Sequence, residues 1–198
     1  AKRNLVAYNW EPQAGSDNRR NKDEGDKGMA TILLNGDPIG VGGRFPRLGD
    51  TAHSFMLVNN DLKDVSLSQF SGKRKVLAVV PSLDASIGLA IARKLNAIAP
   101  DLPNTHTIII SVDTPYAQAR VTAMEELRNI ATLSTLRGRD FHKDYGVMIT
   151  DYPLSGLMAT AIVVLDENDE VLHSELVHEL TSEPKYQAIV DALIPPQA

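Results

Sequence analysis

The chain has 198 residues, of which 43% are hydrophobic and 23% are charged, a composition typical of one globular domain. A chain of this length buries enough surface to fold without metal ions or disulfides. Its net charge of −5 argues against a general binder of nucleic acids or anionic membranes, and no apolar run approaches the roughly 20 residues that cross a bilayer. The sequence contains no cysteine, which excludes disulfides, thiolate metal sites, iron–sulfur clusters and every thiol-based reaction.

The amino terminus predicts a cytoplasmic location. Lys2 and Arg3 bring charge to the start of the sequence, but the apolar core of a signal peptide does not follow them. The first residue, Ala1, is also the kind of small residue that removal of an initiator methionine leaves.

Residues 1–29 differ in composition from the rest of the chain and form an N-terminal extension to a folded domain, residues 30–198. The stretch from Ala14 to Gly28 has no large apolar residue and no helical or strand period, so burial cannot offset the entropy of ordering it. Ahead of this stretch lies an apolar and aromatic cluster made of Leu5, Val6, Tyr8 and Trp10. Such a cluster is typical of a motif that docks onto another protein. The alternatives are packing on the chain's own domain and disorder.

The elements from residue 30 onward follow a regular α/β order. The pair Asn35-Gly36 between two apolar runs predicts a β-hairpin over residues 30–41. Continuous apolar runs predict buried strands, and apolar residues at helical spacing predict helices. In chain order these are a strand at Lys75–Val80, a helix at Ser86–Ala99, a strand at His106–Val112, a helix at Tyr116–Asn129, a hairpin of Ala161–Leu165 with Glu170–Val177, and a helix at Glu183–Leu193. This order, with a mixed sheet, is that of a thioredoxin-like fold.

A series of short motifs gives the domain a family resemblance. In chain order they are Gly49–Phe55, Leu67–Lys73, Pro81–Asp84, Ser111–Gln118, Asp144–Val147, Gly156-Leu157, Ala161–Val164, Glu175–Val177 and Glu183–Tyr186. In this order and spacing they resemble the bacterial thiol peroxidases, the atypical two-cysteine branch of the peroxiredoxins. The resemblance implies an α/β, thioredoxin-like peroxiredoxin fold with a mixed central sheet, flanking helices and an N-terminal β-hairpin. It also implies a tendency to form homodimers.

The residues that carry chemistry in that family are mostly replaced. Peroxiredoxins hold the peroxide-reducing cysteine in a Pro-x-x-x-Thr-x-x-Cys loop at a helix N-terminus, where the helix dipole and a distant arginine lower the thiol pKa. Pro81 is retained, but Ala85 occupies the threonine position and Gly88 the cysteine position. The same resemblance places Thr122 at the resolving cysteine and Thr160 at the arginine.

No neighbouring group substitutes for the missing thiol. Ser86 lies two residues from Gly88, but an alcohol is scarcely ionised at neutral pH and has no accessible oxidation ladder. We therefore expect no peroxidase activity, and we identify no catalytic residue, cofactor site or metal site. The densest metal-like group is His173, Glu175, His178 and Glu179, for which solvated strand ends are the expected interpretation.

These observations favour a binding or structural protein. The leading hypothesis is an inactive peroxiredoxin-like accessory subunit that docks onto a larger protein assembly through residues 1–29, with Leu5, Val6, Tyr8 and Trp10 as contacts. It includes a possible homodimer, and neither nucleic-acid binding nor membrane insertion. The alternative is a small-molecule or anion sensor that uses the vacated pocket at the N-terminus of the helix. An enzyme of another class is the third hypothesis, but no convergent polar groups indicate its site.

Overall fold

The central layer is a seven-stranded mixed sheet in the computed structural model, which describes residues 30–138 and 140–194. The strands in these ranges are β1 (Ala30–Leu34), β2 (Asp37–Gly42), β3 (Met56–Val58), β4 (Asp64–Ser66), β5 (Arg74–Val79), β6 (Thr105–Ser111), β7 (Ala131–Ser134), β8 (Met148–Ile149), β9 (Ala161–Leu165) and β10 (Val171–Leu176). The α-helices are α1 (Ser86–Ile98), α2 (Pro115–Met124), α3 (Phe141–Asp144) and α4 (Tyr186–Leu193). Among the described residues, no helix is long and apolar enough to cross a bilayer.

The sheet has the order β10-β9-β5-β6-β7-β3-β4, with β5, β6 and β7 parallel to one another. A second, three-stranded sheet has the order β1-β2-β8. Since β5, β6 and β7 are parallel, their carboxyl ends meet at one edge of the central sheet, and the loops that follow them lie close together.

The continuous apolar runs form strands that are buried on both faces, as the sequence predicts. Along β5, Leu77 and Val79 pack on one face of the sheet, while Val76 and Ala78 pack on the other. The second face is covered by α1, α2 and α4 through side chains at helical spacing, namely Ile91, Leu95, Val121, Ile189 and Leu193. The first face is covered by aromatic residues that include Phe55, Phe141 and Tyr145.

The predicted hairpins and long helices are confirmed, but one helix ends earlier than its sequence pattern indicates. The helix predicted to reach Asn129 stops at Met124, because Glu126 adopts a left-handed conformation with φ 53°. The Leu127 N–H then bonds to the Thr122 carbonyl at 3.0 Å, which closes the helix end. Glycine is the usual residue at such a position, so the sequence carries no stop signal here.

A carboxylate joins the N-terminal hairpin to the domain. The β1–β2 turn has positive φ at Asn35 (53°) and Gly36 (90°), as the Asn-Gly pair predicts. The Glu179 carboxylate accepts the N–H groups of both turn residues at 3.1 Å and the Thr181 hydroxyl at 3.0 Å. Desolvation acts in the opposite direction, but the bonds from Thr181, Asn35 and Gly36 prevail and lower the Glu179 pKa. The Glu179 carboxylate therefore binds the hairpin turn and does not belong to a metal-like cluster with His173, Glu175 and His178 among the described residues.

The lowered pKa of Glu179 predicts an acid-sensitive contribution to stability. This contribution is fully present above the unfolded-state pKa of about 4.3, and it is lost as the pH falls through the lower folded-state pKa. We expect Glu179→Gln to unfold more easily than the parent at neutral pH and to lose less stability on acidification. The measurement is urea unfolding followed by circular dichroism across this pH range.

The control is Glu126→Gln, which removes a carboxylate from an exposed ion pair with Arg128. Identical pH profiles for Glu179→Gln and the parent would contradict the assigned role of Glu179.

Candidate functional site

The loop that the sequence analysis assigns to the peroxidatic cysteine lies where the parallel strands end. Pro81 follows β5 and is buried, and Ala85 directly precedes α1. Ala85 is the N-cap residue of α1 but offers no side-chain acceptor to the free N–H groups of the first turn. The helix end therefore lacks the hydroxyl that the family resemblance would place at Ala85.

Main-chain atoms fill the space beside Gly88. A Cβ atom on Gly88 would overlap the Ser82 carbonyl oxygen and would lie 2.9 Å from the Ser82 carbonyl carbon. The same carbonyl accepts the Ala85 N–H at 3.3 Å, so it belongs to the turn that leads into α1. Any side chain at position 88 requires the backbone at Ser82 to move. The loop is thus closely packed at the position that the family resemblance assigns to the cysteine.

Thr160, which the family resemblance assigns to the arginine position, is fully buried immediately before β9. Its carbonyl accepts the Val177 N–H at 2.9 Å. Its Oγ1 atom has no hydrogen-bond partner among the described residues. A buried hydroxyl without a partner lowers the stability of the fold, because no hydrogen bond offsets the loss of its hydration. Thr160 therefore supplies neither the positive charge of an arginine nor a hydrogen bond that supports the fold.

Thr122, which the family resemblance assigns to the resolving cysteine, belongs to α2, and its hydroxyl bonds within that helix. Its Oγ1 donates to the Gln118 carbonyl one turn earlier, at 2.7 Å. This bond is the ordinary way in which a threonine satisfies its hydroxyl within a helix. Neither Thr122 nor the exposed Ser86 lies in any pairing that would activate a nucleophile, as far as the described residues are concerned.

A carboxylate that the sequence analysis did not single out fixes the loop. Asp113 follows β6, and its Oδ1 accepts the Ser82 hydroxyl at 2.8 Å. Its Oδ2 accepts the Leu83 N–H at 2.6 Å and the Ser111 hydroxyl at 2.7 Å. The Ser134 hydroxyl, at the end of β7, donates to the Asp113 carbonyl at 2.5 Å. The sequence signal was a carboxylate directly after a buried parallel strand.

The remaining predicted residues are dispersed. Glu175 accepts the Lys185 N–H at 3.0 Å, and the buried Nε2 of His173 has no hydrogen-bond partner among the described residues. Within the same residues, no group of three or more potential ligands is arranged to hold a metal ion. The predicted docking residues Leu5, Val6, Tyr8 and Trp10 lie outside the described residues, as does Arg139.

Comparisons with known proteins agree with this geometry. The Redoxin family model matches residues 47–190. A thiol peroxidase of Streptococcus sanguinis is 39% identical over 165 residues, which are 83% of this chain and 98% of that protein. The structure is similar to a thiol peroxidase from Chromobacterium violaceum, with a TM-score of 0.78 and 39% identity, covering 82% of this chain and 94% of that one. A peroxiredoxin-like protein from Aquifex aeolicus gives the same TM-score at 31% identity, covering 84% and 98%. The predicted thioredoxin-like peroxiredoxin fold is thereby confirmed.

The packing at Gly88 predicts that restoring the thiol will not restore the reaction. We expect Gly88→Cys to lower the free energy of unfolding by about 2 kcal/mol, as overpacking of a tight site does. We also expect it to reduce hydrogen peroxide no faster than Ala97→Cys, which places a thiol on the exposed side of α1. Urea unfolding and a peroxide-consumption assay test the two expectations. Rapid peroxide reduction by Gly88→Cys alone would show that the site still activates a thiol.

The unpaired hydroxyl of Thr160 predicts a stabilising substitution. Thr160→Val keeps the shape of the side chain and removes a buried polar atom, so we expect a gain of about 1 kcal/mol in the free energy of unfolding. Thr122→Val is the matched control, because its hydroxyl is bonded to Gln118 and its loss brings no such gain. Denaturant midpoints for both variants provide the measurement. Destabilisation by Thr160→Val would mean that its hydroxyl has a partner.

Proposed function

Because the chain belongs to the Redoxin family but contains no cysteine, we propose that it is a catalytically inactive, peroxiredoxin-like accessory subunit. It docks onto a larger protein assembly through residues 1–29, with Leu5, Val6, Tyr8 and Trp10 as the contacts. The proposal includes a cytoplasmic location and the homodimer that the family resemblance implies.

The close packing around Gly88 carries the first half of this proposal. The chain has no cysteine, and the Ser82 carbonyl fills the space beside the Gly88 Cα. Asp113 fixes the same loop through its bonds to Ser82 and Leu83. A peroxide-reducing site needs room for a thiolate and its oxidised form, and it needs donors around the peroxide oxygens. Ala85 and Thr160 do not supply those donors. Backbone atoms therefore occupy the space in which this chemistry would take place.

The composition of the extension supports the second half. Val6, Tyr8 and Trp10 are residue types that dominate the energetic centres of protein interfaces or readily form strands. They are concentrated within six residues, ahead of a long polar stretch that connects them to the domain. A protein without a catalytic site that carries such a segment is suited to binding another protein.

Ligand binding at the former site is the second candidate function. The buried, unpaired Oγ1 of Thr160 is the observation that favours it, because a bound polar molecule would satisfy this atom. The Ser82 carbonyl beside Gly88 counts against it, because it occupies space that a ligand would need. We therefore rank the sensor below the docking subunit.

The docking proposal predicts a partner that depends on the aromatic segment. The full chain is used as bait in extract of the source organism, beside a variant with Val6, Tyr8 and Trp10 all changed to serine. The matched control changes the polar neighbours Asn4, Asn9 and Gln13 to serine. We expect one protein to be captured in stoichiometric amount by the parent and by the control, but not by the first variant.

The captured protein is then purified and mixed with the full chain, and the complex is measured by light scattering. A complex that forms equally well with the serine variant of Val6, Tyr8 and Trp10 would place the contact elsewhere. The absence of any stoichiometric partner from all three baits would overturn the docking proposal.

A further inference from the structure

A groove lies on the domain where the N-terminal extension joins it. We call it the edge groove; it has a volume of about 450 Å³ and is lined by Ala30, Gly43, Arg44, Phe45, Pro46, Arg47, Leu48, Ser174 and Leu176. A smaller depression of about 180 Å³ shares Arg44 and Pro46 with it. The edge groove is unrelated to the Gly88 site, which lies at the carboxyl ends of the parallel strands.

The edge groove lies beside the part of the edge strand β10 that has no strand paired to its outer side among the described residues. β10 is the last strand of the central sheet, and two other segments bond to its region from outside. At one end, the Gly49 N–H bonds to the Val171 carbonyl, and the Val171 N–H bonds to the Asp50 carbonyl, both at 2.9 Å. At the other end, Leu33 in β1 exchanges bonds of 2.7 and 2.8 Å with the segment that follows β10. Between these ends, no strand among the described residues pairs with the outer side of β10.

The chemistry of the edge groove suits an apolar segment with an adjacent acidic group. Leu48 is 74% exposed, an unusual position for a large aliphatic side chain, while Phe45 and Leu176 are half-buried beside it. Arg44 and Arg47 are exposed at the rim, and Arg44 makes a long ion pair with Asp50, at 3.5 Å. Arginine beside apolar surface binds both aromatic faces and carboxylates.

The chain itself contains a segment with these properties. Leu5–Trp10 places Val6, Tyr8 and Trp10 at alternate positions, so in an extended conformation they share one face, and Glu11 follows directly. Its six residues match the six residues of β10. The extension joins the domain at Ala30, which lines the groove, and the 20 residues from Trp10 to Ala30 can span up to about 70 Å. The segment can therefore reach the whole length of the groove.

We propose that Leu5–Trp10 binds in the edge groove of its own domain as an added strand beside β10. An exposed strand edge is a template for such pairing, in which main-chain hydrogen bonds give affinity and side-chain pockets give specificity. Leu48 and Phe45 provide the apolar contact, and Arg44 and Arg47 face Glu11. This inference deepens the docking proposal and rests on it for its biological role, because a partner must displace the segment before it can bind.

Trp10 tests the inference directly, because it is the only tryptophan in the chain. Its emission maximum and its quenching by acrylamide are measured on the full chain. We expect a blue-shifted emission and a several-fold lower quenching constant than in urea-unfolded protein. We expect Leu48→Asp to restore the quenching constant towards the unfolded value, since it puts a charge into the apolar part of the groove.

Met124→Asp is the matched control. Met124 is 70% exposed and lies at the end of α2, which packs beside β7, four strands from β10 in the sheet. Neither substitution removes a buried side chain, so both variants are expected to fold. Trp10 emission that stays shielded in Leu48→Asp, or that is as accessible in the parent as in unfolded protein, would overturn the inference.

Dilution distinguishes the chain's own groove from that of a second copy. Shielding of Trp10 that is independent of protein concentration supports binding within one chain, and shielding lost on dilution overturns it in favour of exchange between copies. These measurements use the isolated protein, whereas partner capture uses extract. If the fluorescence test fails and a partner is captured, only the proposal that Leu5–Trp10 binds in the edge groove is rejected. If the fluorescence test succeeds and no partner is captured, only the docking proposal is rejected.

Discussion

The carboxylate of Asp113 holds together the ends of the parallel strands and the loop that precedes α1. Asp113 accepts bonds from Ser82, Leu83 and Ser111, and its carbonyl accepts the hydroxyl of Ser134. It thereby joins the loops or ends of the three parallel strands β5, β6 and β7. Hydrogen bonds to a charged acceptor are stronger than neutral ones, and several that converge on one group restrict each donor's position. The loop from Pro81 to Ala85 therefore has little freedom to open.

This restraint means that adding a thiol at position 88 is not sufficient to rebuild a peroxide-reducing site. Because position 88 is glycine, the Ser82 carbonyl approaches α1 closely, and Asp113 bonds to the same turn. A thiol introduced at this point meets main-chain atoms rather than solvent. Rebuilding such a site thus requires a change in backbone position as well as side chains. Thr160 likewise keeps a buried hydroxyl that has no hydrogen-bond partner among the described residues.

The parts of the fold that could be predicted from sequence are those with strong local signals. The buried strands β5, β6 and β9 are continuous apolar runs, and the turn at Asn35-Gly36 has a sequence that permits positive φ. The short strands β3, β4, β7 and β8 have two to four residues each and depend on neighbours that the sequence does not reveal. The absence of cysteine is read directly from the sequence, and the family resemblance predicts that Ala85 and Thr160 replace the hydroxyl and guanidinium groups. The filled space beside Gly88 could not be predicted, because a backbone carbonyl from Ser82 fills it.

The two proposed uses of the N-terminal extension are linked by one equilibrium. If Leu5–Trp10 occupies the edge groove, only the fraction of chains that have released it can bind a partner, and the partner's apparent affinity falls by that fraction. The segment is tethered to the domain by the 20 residues from Trp10 to Ala30, which keeps its local concentration at the groove high, so even a weak groove contact competes with a partner. The rim charges of Arg44 and Arg47 make this competition sensitive to salt, since exposed ion pairs weaken as the Debye length shrinks. In that case the domain acts on its own docking segment, and the edge groove is a regulatory surface separate from the Gly88 loop.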